Sequence, residues 1–149
     1  RSQRKNMENN YNLNRFIEAQ NRDYDTALAE IRAGKKVSHW MWYIFPQLKG
    51  LGRSSTSEYY GLSGIKEAQA YLSDPILKAR LIEITDAVIA HKDKSAEEIF
   101  GGIDAKKLRS CMTLFSTAAP DIPVFEAVLE QFFHGVPDRN TLRLTKTNE

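Results

Sequence analysis

The residues best suited to hold a small ligand are concentrated in one segment of the chain, 35–61. This segment carries both tryptophans, Trp40 and Trp42, together with a histidine, several glycines and a series of hydroxyl side chains. Apolar rings exclude water from a cleft, and a few polar groups beside them fix the orientation of the ligand. We therefore expect the site in this segment.

Within the segment, the loop that follows Pro46 has the composition of an anion-binding turn. Gly50 and Gly52 allow backbone N–H groups to turn inward, Arg53 offers a bidentate guanidinium, and Ser54 or Ser57 adds a donor. The spacing does not match a Walker loop.

Together these features predict a small ligand-binding domain or enzyme that acts on a phosphorylated or nucleotide-derived metabolite. An indole would stack on a ring, Lys36 would join Arg53 on the phosphate, and His39 or Gln47 would orient the reacting group. Whether catalysis occurs stays open. The predicted ligand-binding residues are Lys36, Ser38, Trp40, Trp42, Gly50, Gly52, Arg53, Ser54, Ser57 and Lys107.

Two alternatives use the same residues. The aromatic run is also typical of a hydrophobic core, in which case the glycines only turn the chain. A non-catalytic module that binds a protein or nucleic acid would instead present the rings as an exposed apolar patch.

A second group, Asp104, Lys107 and Ser110, follows three-residue steps and so shares one helix face. This face would line a cleft if it met residues 39–57. The alternative is a helix cap beside a solvated ion pair.

The sequence disfavours a thiol nucleophile and a metal site. Cys111 lies close to the apolar stripe of its helix, where a free cysteine acts as a small hydrophobe. The histidines and the cysteine lack metal-ligand spacing, so we expect no metal, and no cofactor motif is present. His91 and His134 are expected to be structural residues at helix C-termini.

The composition of the chain limits which partners and which cellular location we expect. The net charge is +2 over 149 residues, so nucleic acid is an unlikely partner and a small anionic metabolite remains suitable. A single cysteine fits a reducing compartment, and we expect a cytoplasmic protein. The longest uncharged run, Val37–Leu48, is too short to span a membrane. The oligomeric state stays open.

Periodicity and end signals predict the elements that position these residues. The spacing predicts helices over 15–33, 65–72, 76–92 and 105–118 and from Asp121 to Gly135, short helices after Ser95 and Asp138, a helical turn over 58–60, and a loop over 47–57. The apolar run 38–45 fits a buried helix or a buried strand, and we favour a short helix because no second strand-like run could pair with it. The predicted N-caps are Asn14, Ser38, Ser63, Asp74, Ser95, Asp104 and Asp121. We therefore predict an all-α fold: a single compact orthogonal bundle of about seven short helices over residues 8–146. Residues 1–7 are expected to be an expression remnant or a disordered lead-in.

Several motifs together resemble a known family. They are Phe16-Ile17-Glu18-Ala19-Gln20, the block Ser38-His39-Trp40-Met41-Trp42 through Phe45-Pro46-Gln47, Glu67–Leu72, Phe100-Gly101 and Met112–Phe115. The chain resembles the family catalogued as domain of unknown function 1810 from Asn12 to Leu144. Its members have often been mislabelled calpastatin, although calpastatins are long disordered inhibitors. The resemblance implies a helical fold of bacterial proteins and no established activity.

Overall fold

Helix α1 (Asn14–Ala33) is the longest helix in residues 11–147, the part of the chain that the computed structural model describes. Its buried face repeats at three- and four-residue steps, as the sequence predicted. Gly34 ends the helix in the left-handed region, with φ 86°, where glycine is favoured. The predicted lead-in, residues 1–7, lies outside the described residues.

Further helices follow along the described chain. They are α2 (Met41–Ile44), α3 (Ser55–Tyr60), α4 (Ile65–Ser73), α5 (Pro75–Ile89), α6 (Ala96–Phe100), α7 (Gly102–Ala118), α8 (Pro123–Phe133) and α9 (Arg139–Thr147). The all-α prediction is confirmed, and residues 11–147 hold nine helices where about seven were expected. The extended pairing present in this range is one parallel bridge between Leu48 and Leu62.

The hydrophobic core is built around α7, which packs against α4, α6, α8 and α9. A series of ring contacts crosses this core from Phe16 through Tyr71 and Phe115 to Phe125, with centroids 5.2, 5.4 and 5.6 Å apart. Cys111 is fully buried, and burial raises the pKa of its thiol well above the usual value. The prediction that Cys111 is an inert core residue therefore agrees with its surroundings.

Two predicted helix starts are confirmed by their hydrogen bonds. The Asp74 carboxylate accepts from the N–H groups of Ile76 and Leu77, and Pro75 is the first residue of α5. At α6 the Ser95 hydroxyl accepts from the Glu98 N–H while the Glu98 carboxylate accepts from the Ser95 N–H. Both signals are local, so the sequence suffices to identify them.

Other predicted caps are wrong. Leu13, Gly64 and Ile122 occupy the N-cap positions where Asn14, Ser63 and Asp121 were expected. The short helix α2 is a single turn preceded by Trp40, so Ser38 does not cap it. The predicted loop over 47–57 ends earlier, because Ser54 caps α3.

Among residues 11–147, no helix combines the length and the apolar character that crossing a bilayer requires.

Candidate functional site

The segment between α1 and α2 is held in place by one carboxylate, that of Glu30. Its Oε1 accepts hydrogen bonds from the N–H groups of Val37 (2.8 Å) and Ser38 (3.0 Å) and from Trp40 Nε1 (2.9 Å). Its other oxygen accepts from the Ser38 hydroxyl. Burial opposes ionisation of Glu30, but these donors outweigh it and lower its pKa to about 2. Ser38 and Trp40 are therefore anchoring residues.

Two lysines from different elements meet at Asp104, in the first turn of α7. Lys36 Nζ lies 2.9 Å from Asp104 Oδ2, and Lys107 Nζ lies 3.0 Å from Asp104 Oδ1. Burial opposes ionisation of Asp104, but the two ammonium groups outweigh it and hold the carboxyl pKa below its usual value. The predicted cap role of Asp104 is wrong, since Gly101 precedes the helix and the carboxylate is used by these lysines. The cluster carries one more positive charge than negative.

A first hollow of about 270 Å³ opens beside this cluster, between α2, α3 and α7. His39, exposed at its edge, and Trp42 line it together with Lys36, Asp104 and Lys107. Lys107 Nζ stands 4.2 Å from the Trp42 ring centroid, a cation–π distance. The hollow thus joins a net positive cluster to a half-buried indole.

A second hollow of about 300 Å³ lies on the other side of Trp42 and Lys107, which line both. Gln47, Leu51 and Gly52 form its loop side. The Leu48–Leu62 bridge supports this loop, because the Lys49 N–H donates to the Leu62 carbonyl at 2.8 Å. We call the two hollows together the Trp42 cleft.

Gly52 permits the close approach of this loop to the indole. A Cβ at position 52 would lie 2.7 Å from Ser57 Cβ and 2.9 Å from Trp42 Cη2, which is closer than side-chain carbons pack. Any larger residue here would push the loop off the ring. The role of Gly52 is therefore to shape the second hollow.

The α7 face singled out by its spacing does meet segment 39–57. Asp104 lines the first hollow, Ser110 lines the second, and Lys107 lines both. The remaining contributors to the cleft were not among the predicted site residues: four lie within segment 35–61, and nothing local marks the other four as neighbours of Trp42. They are Met41, Tyr43, Leu51, Thr56, Ile103, Lys106, Asp138 and Asn140.

Some predicted site residues are placed elsewhere. Trp40 is 1% exposed, so the stacking role predicted for it is wrong; Lys36 Nζ covers its ring at 4.9 Å. Arg53 is exposed and lines neither hollow, so it does not join Lys36. Ser57 is buried, and its hydroxyl donates to the Ser54 carbonyl.

The loop glycine Gly50 has φ 98°, the left-handed region, and lines neither hollow. Ser54 caps α3 by accepting from the Ser57 N–H. Arg53, Gly50 and Ser54 thus lie outside both hollows, and the Ser57 hydroxyl is used within the loop and α3. Within residues 11–147, no group of three or more His, Cys, Asp and Glu residues is placed to hold a metal.

Comparison with known proteins identifies the family. The family model described as "Protein of unknown function (DUF1810)" matches residues 10–145. The chain belongs to this family. No curated protein sequence matches the chain significantly.

A solved structure shares the DUF1810 fold of this chain. It is the crystal structure of the conserved hypothetical protein Rv1873 from Mycobacterium tuberculosis. The two chains are 45% identical and superpose with a TM-score of 0.90, over 91% of this chain and 97% of that one. The fold is thus shared with an experimental structure. That protein is described only as hypothetical, so no activity is assigned to it.

Proposed function

We propose that this protein binds a small phosphorylated or nucleotide-derived metabolite in the Trp42 cleft. The observation that carries the proposal is the Lys36–Asp104–Lys107 cluster, which leaves one net positive charge beside a half-buried indole. An anion placed there gains from charge that is already partly desolvated, since the Lys36 and Lys107 side chains are only 7% and 22% exposed.

The accessible cation of the cluster is Lys107. Lys36 is saturated by Asp104, by the Ser38 carbonyl and by the Trp40 ring, so it mainly holds Asp104 in place. Lys107 has one carboxylate partner and lies between the two hollows. A phosphate would therefore contact Lys107 first, on the side of the first hollow, where the Lys36–Asp104–Lys107 cluster lies.

A ligand-binding role is favoured over a protein- or nucleic-acid-binding module by the shape of this surface. A module that docks a macromolecule would present the aromatic residues as a flat apolar patch. The two hollows beside Trp42 are open, but charged side chains line both, which a flat apolar docking patch would lack. His39 stands at the first hollow with an exposed ring, in the place of a general acid or base if the bound metabolite is also transformed.

The test is a thermal-shift and calorimetric titration with ribose phosphate. At about a hundredfold excess over its Kd, the ligand should raise Tm by about 5–10 °C.

The variant Lys107→Ala should weaken binding about tenfold or more. Asp104 does not become an unpaired buried charge in this variant, because Lys36 still neutralises it. Lys66→Ala, an exposed lysine of α4, is the matched control. Arg53→Ala should also bind like wild type, whereas the sequence-based hypothesis requires it to lose binding. Equal binding by Lys107→Ala contradicts the proposal, and so does a wild type that binds neither ribose phosphate nor a nucleoside monophosphate such as AMP.

A further inference from the structure

The second hollow contains a buried polar side chain that the fold leaves without a partner, that of Gln47. The residue is 6% exposed and lines the hollow. Its backbone is engaged, since its carbonyl accepts from the Leu62 N–H at 3.0 Å. The hydrogen bonds formed among residues 11–147 include none to its carboxamide. The carboxamide is unpaired but open to the hollow, since Thr85 Oγ1, and not an atom of Gln47, is the fully enclosed side-chain atom without a partner among residues 11–147.

Two other polar side chains of the hollow, those of Asp138 and Ser110, are already engaged. The Asp138 carboxylate accepts from the N–H of Thr141 at 2.8 Å and from its hydroxyl at 2.6 Å. The Ser110 hydroxyl donates to the Lys106 carbonyl at 3.2 Å. Unlike these two, Gln47 has its full hydrogen-bonding capacity free for a ligand: two N–H donors and one carbonyl oxygen.

The walls of the second hollow suit a flat ring. Trp42 forms the side shared with the first hollow, and Leu51 and Ile103 add apolar surface. Its volume of about 300 Å³ is at the low end of ligand pockets, which range over about 300–1,000 Å³. One heterocycle fits there, and the rest of a nucleotide would have to extend past Trp42 and Lys107.

We propose that the second hollow binds the base of a nucleoside phosphate and that the Gln47 carboxamide reads the edge of that base. The carboxamide donates one hydrogen bond and accepts another. Adenine presents an amino donor beside a ring-nitrogen acceptor, which a glutamine carboxamide matches in a bidentate pair. This inference rests on the proposed function, because the phosphate of the same ligand would occupy the first hollow beside Lys107.

Gln47 thereby becomes a specificity-determining residue and not the group that reacts. The experiment is calorimetry with AMP, with purine riboside monophosphate, which lacks the amino group of AMP, and with ribose phosphate, which lacks the base. Wild type should bind AMP about tenfold more tightly than purine riboside monophosphate. Its preference for AMP over ribose phosphate should be larger still, because ribose phosphate also loses the stacking on Trp42.

The variant Gln47→Leu removes the carboxamide and keeps the apolar stem. It should bind AMP about tenfold more weakly than wild type and bind ribose phosphate equally well. Gln69→Leu, an exposed glutamine of α4 that lines neither hollow, is the control and should match wild type for both. If Gln47→Leu does not fold, Gln47→Met and the comparison of AMP with purine riboside monophosphate on wild type decide the question.

The outcomes separate the two proposals. If wild type binds AMP and ribose phosphate equally, or if the loss of the amino group changes nothing, the reading of a base by Gln47 is overturned while anion binding stands. If wild type binds none of the three probes, the proposed function fails and this inference fails with it.

Discussion

At the residue scale, Glu30 fixes segment 37–40, which follows Lys36 and leads into the cleft. It lies on α1, and its four donors lie in segment 37–40, beyond the turn at Gly34. No local motif links a helix carboxylate to an indole N–H ten residues later. The sequence therefore identified Ser38 and Trp40 as notable but assigned them to the ligand, when their polar atoms are used by Glu30.

The pKa of Glu30 makes this anchor pH-dependent. Its pKa is lowered from 4.5 to about 2 in the folded protein, so its stabilising effect is complete above pH 4.5 and is lost as pH falls towards 2. Glu30→Gln should lower the free energy of unfolding by about 1–3 kcal/mol at neutral pH, because an amide offers these donors one oxygen fewer. Urea unfolding at several pH values measures this.

The difference between wild type and Glu30→Gln should shrink as pH falls through 4.5, since protonation removes the same charge from wild type. Glu130→Gln, an exposed carboxylate of α8, serves as the control and should change stability by less than about 0.5 kcal/mol. A difference between wild type and Glu30→Gln that stays constant from neutral pH to pH 3 would show that the carboxylate charge is not what holds segment 37–40.

At the element scale, local signals identified helices where no distant group competed for the capping side chain. Asp74 and Ser95 cap α5 and α6 as predicted. Asp104 has an equally good cap residue type, yet Lys36 comes from another element and takes its carboxylate. Tertiary partners of this kind have no signature in a single sequence.

The same contrast gives a stability prediction for helix ends. Asp74→Ala removes the acceptor for the N–H groups of Ile76 and Leu77 and should cost about 0.5–2 kcal/mol of unfolding free energy. Asp121→Ala is its matched control, since Ile122 holds the N-cap position of α8 and Asp121 is exposed. Its cost should stay within about 0.5 kcal/mol. Equal losses in urea unfolding would refute the assignment of the two helix starts.

At the scale of the whole molecule, periodicity predicted the fold well because each helix buries an apolar face against the same core. The same packing satisfies the polar residue on the buried face of α1, Gln20, whose Nε2 donates to the Tyr43 carbonyl at 2.8 Å. The candidate site was predicted mainly on segment 35–61, and the Asp104, Lys107 and Ser110 face of α7 was included only on the condition that it met residues 39–57. Segment 35–61 supplied Trp42 and Gln47, but its opposing wall comes from α7 and the start of α9.

Because the cleft is built from segments far apart in sequence, local reasoning predicted that Arg53 would lie beside Lys36. Arg53 is the basic residue closest in sequence to the glycines, so local reasoning selected it. Folding instead brings Lys107 of α7 to 4.2 Å from the Trp42 ring centroid and leaves Arg53 exposed outside the cleft. The spacing of Asp104, Lys107 and Ser110 was the available signal. This spacing could identify the site only if α7 was known to pack beside segment 39–57, and the packing of the bundle decides that contact.

The most direct measurement of the central claim is tryptophan fluorescence during titration with AMP. The protein has two tryptophans, of which Trp40 is buried and Trp42 lines the cleft. We expect AMP to change the emission of wild type in a saturable way and to leave the emission of Trp42→Phe unchanged. A saturable change of equal size in Trp42→Phe, or none in wild type, would contradict a ligand site beside Trp42.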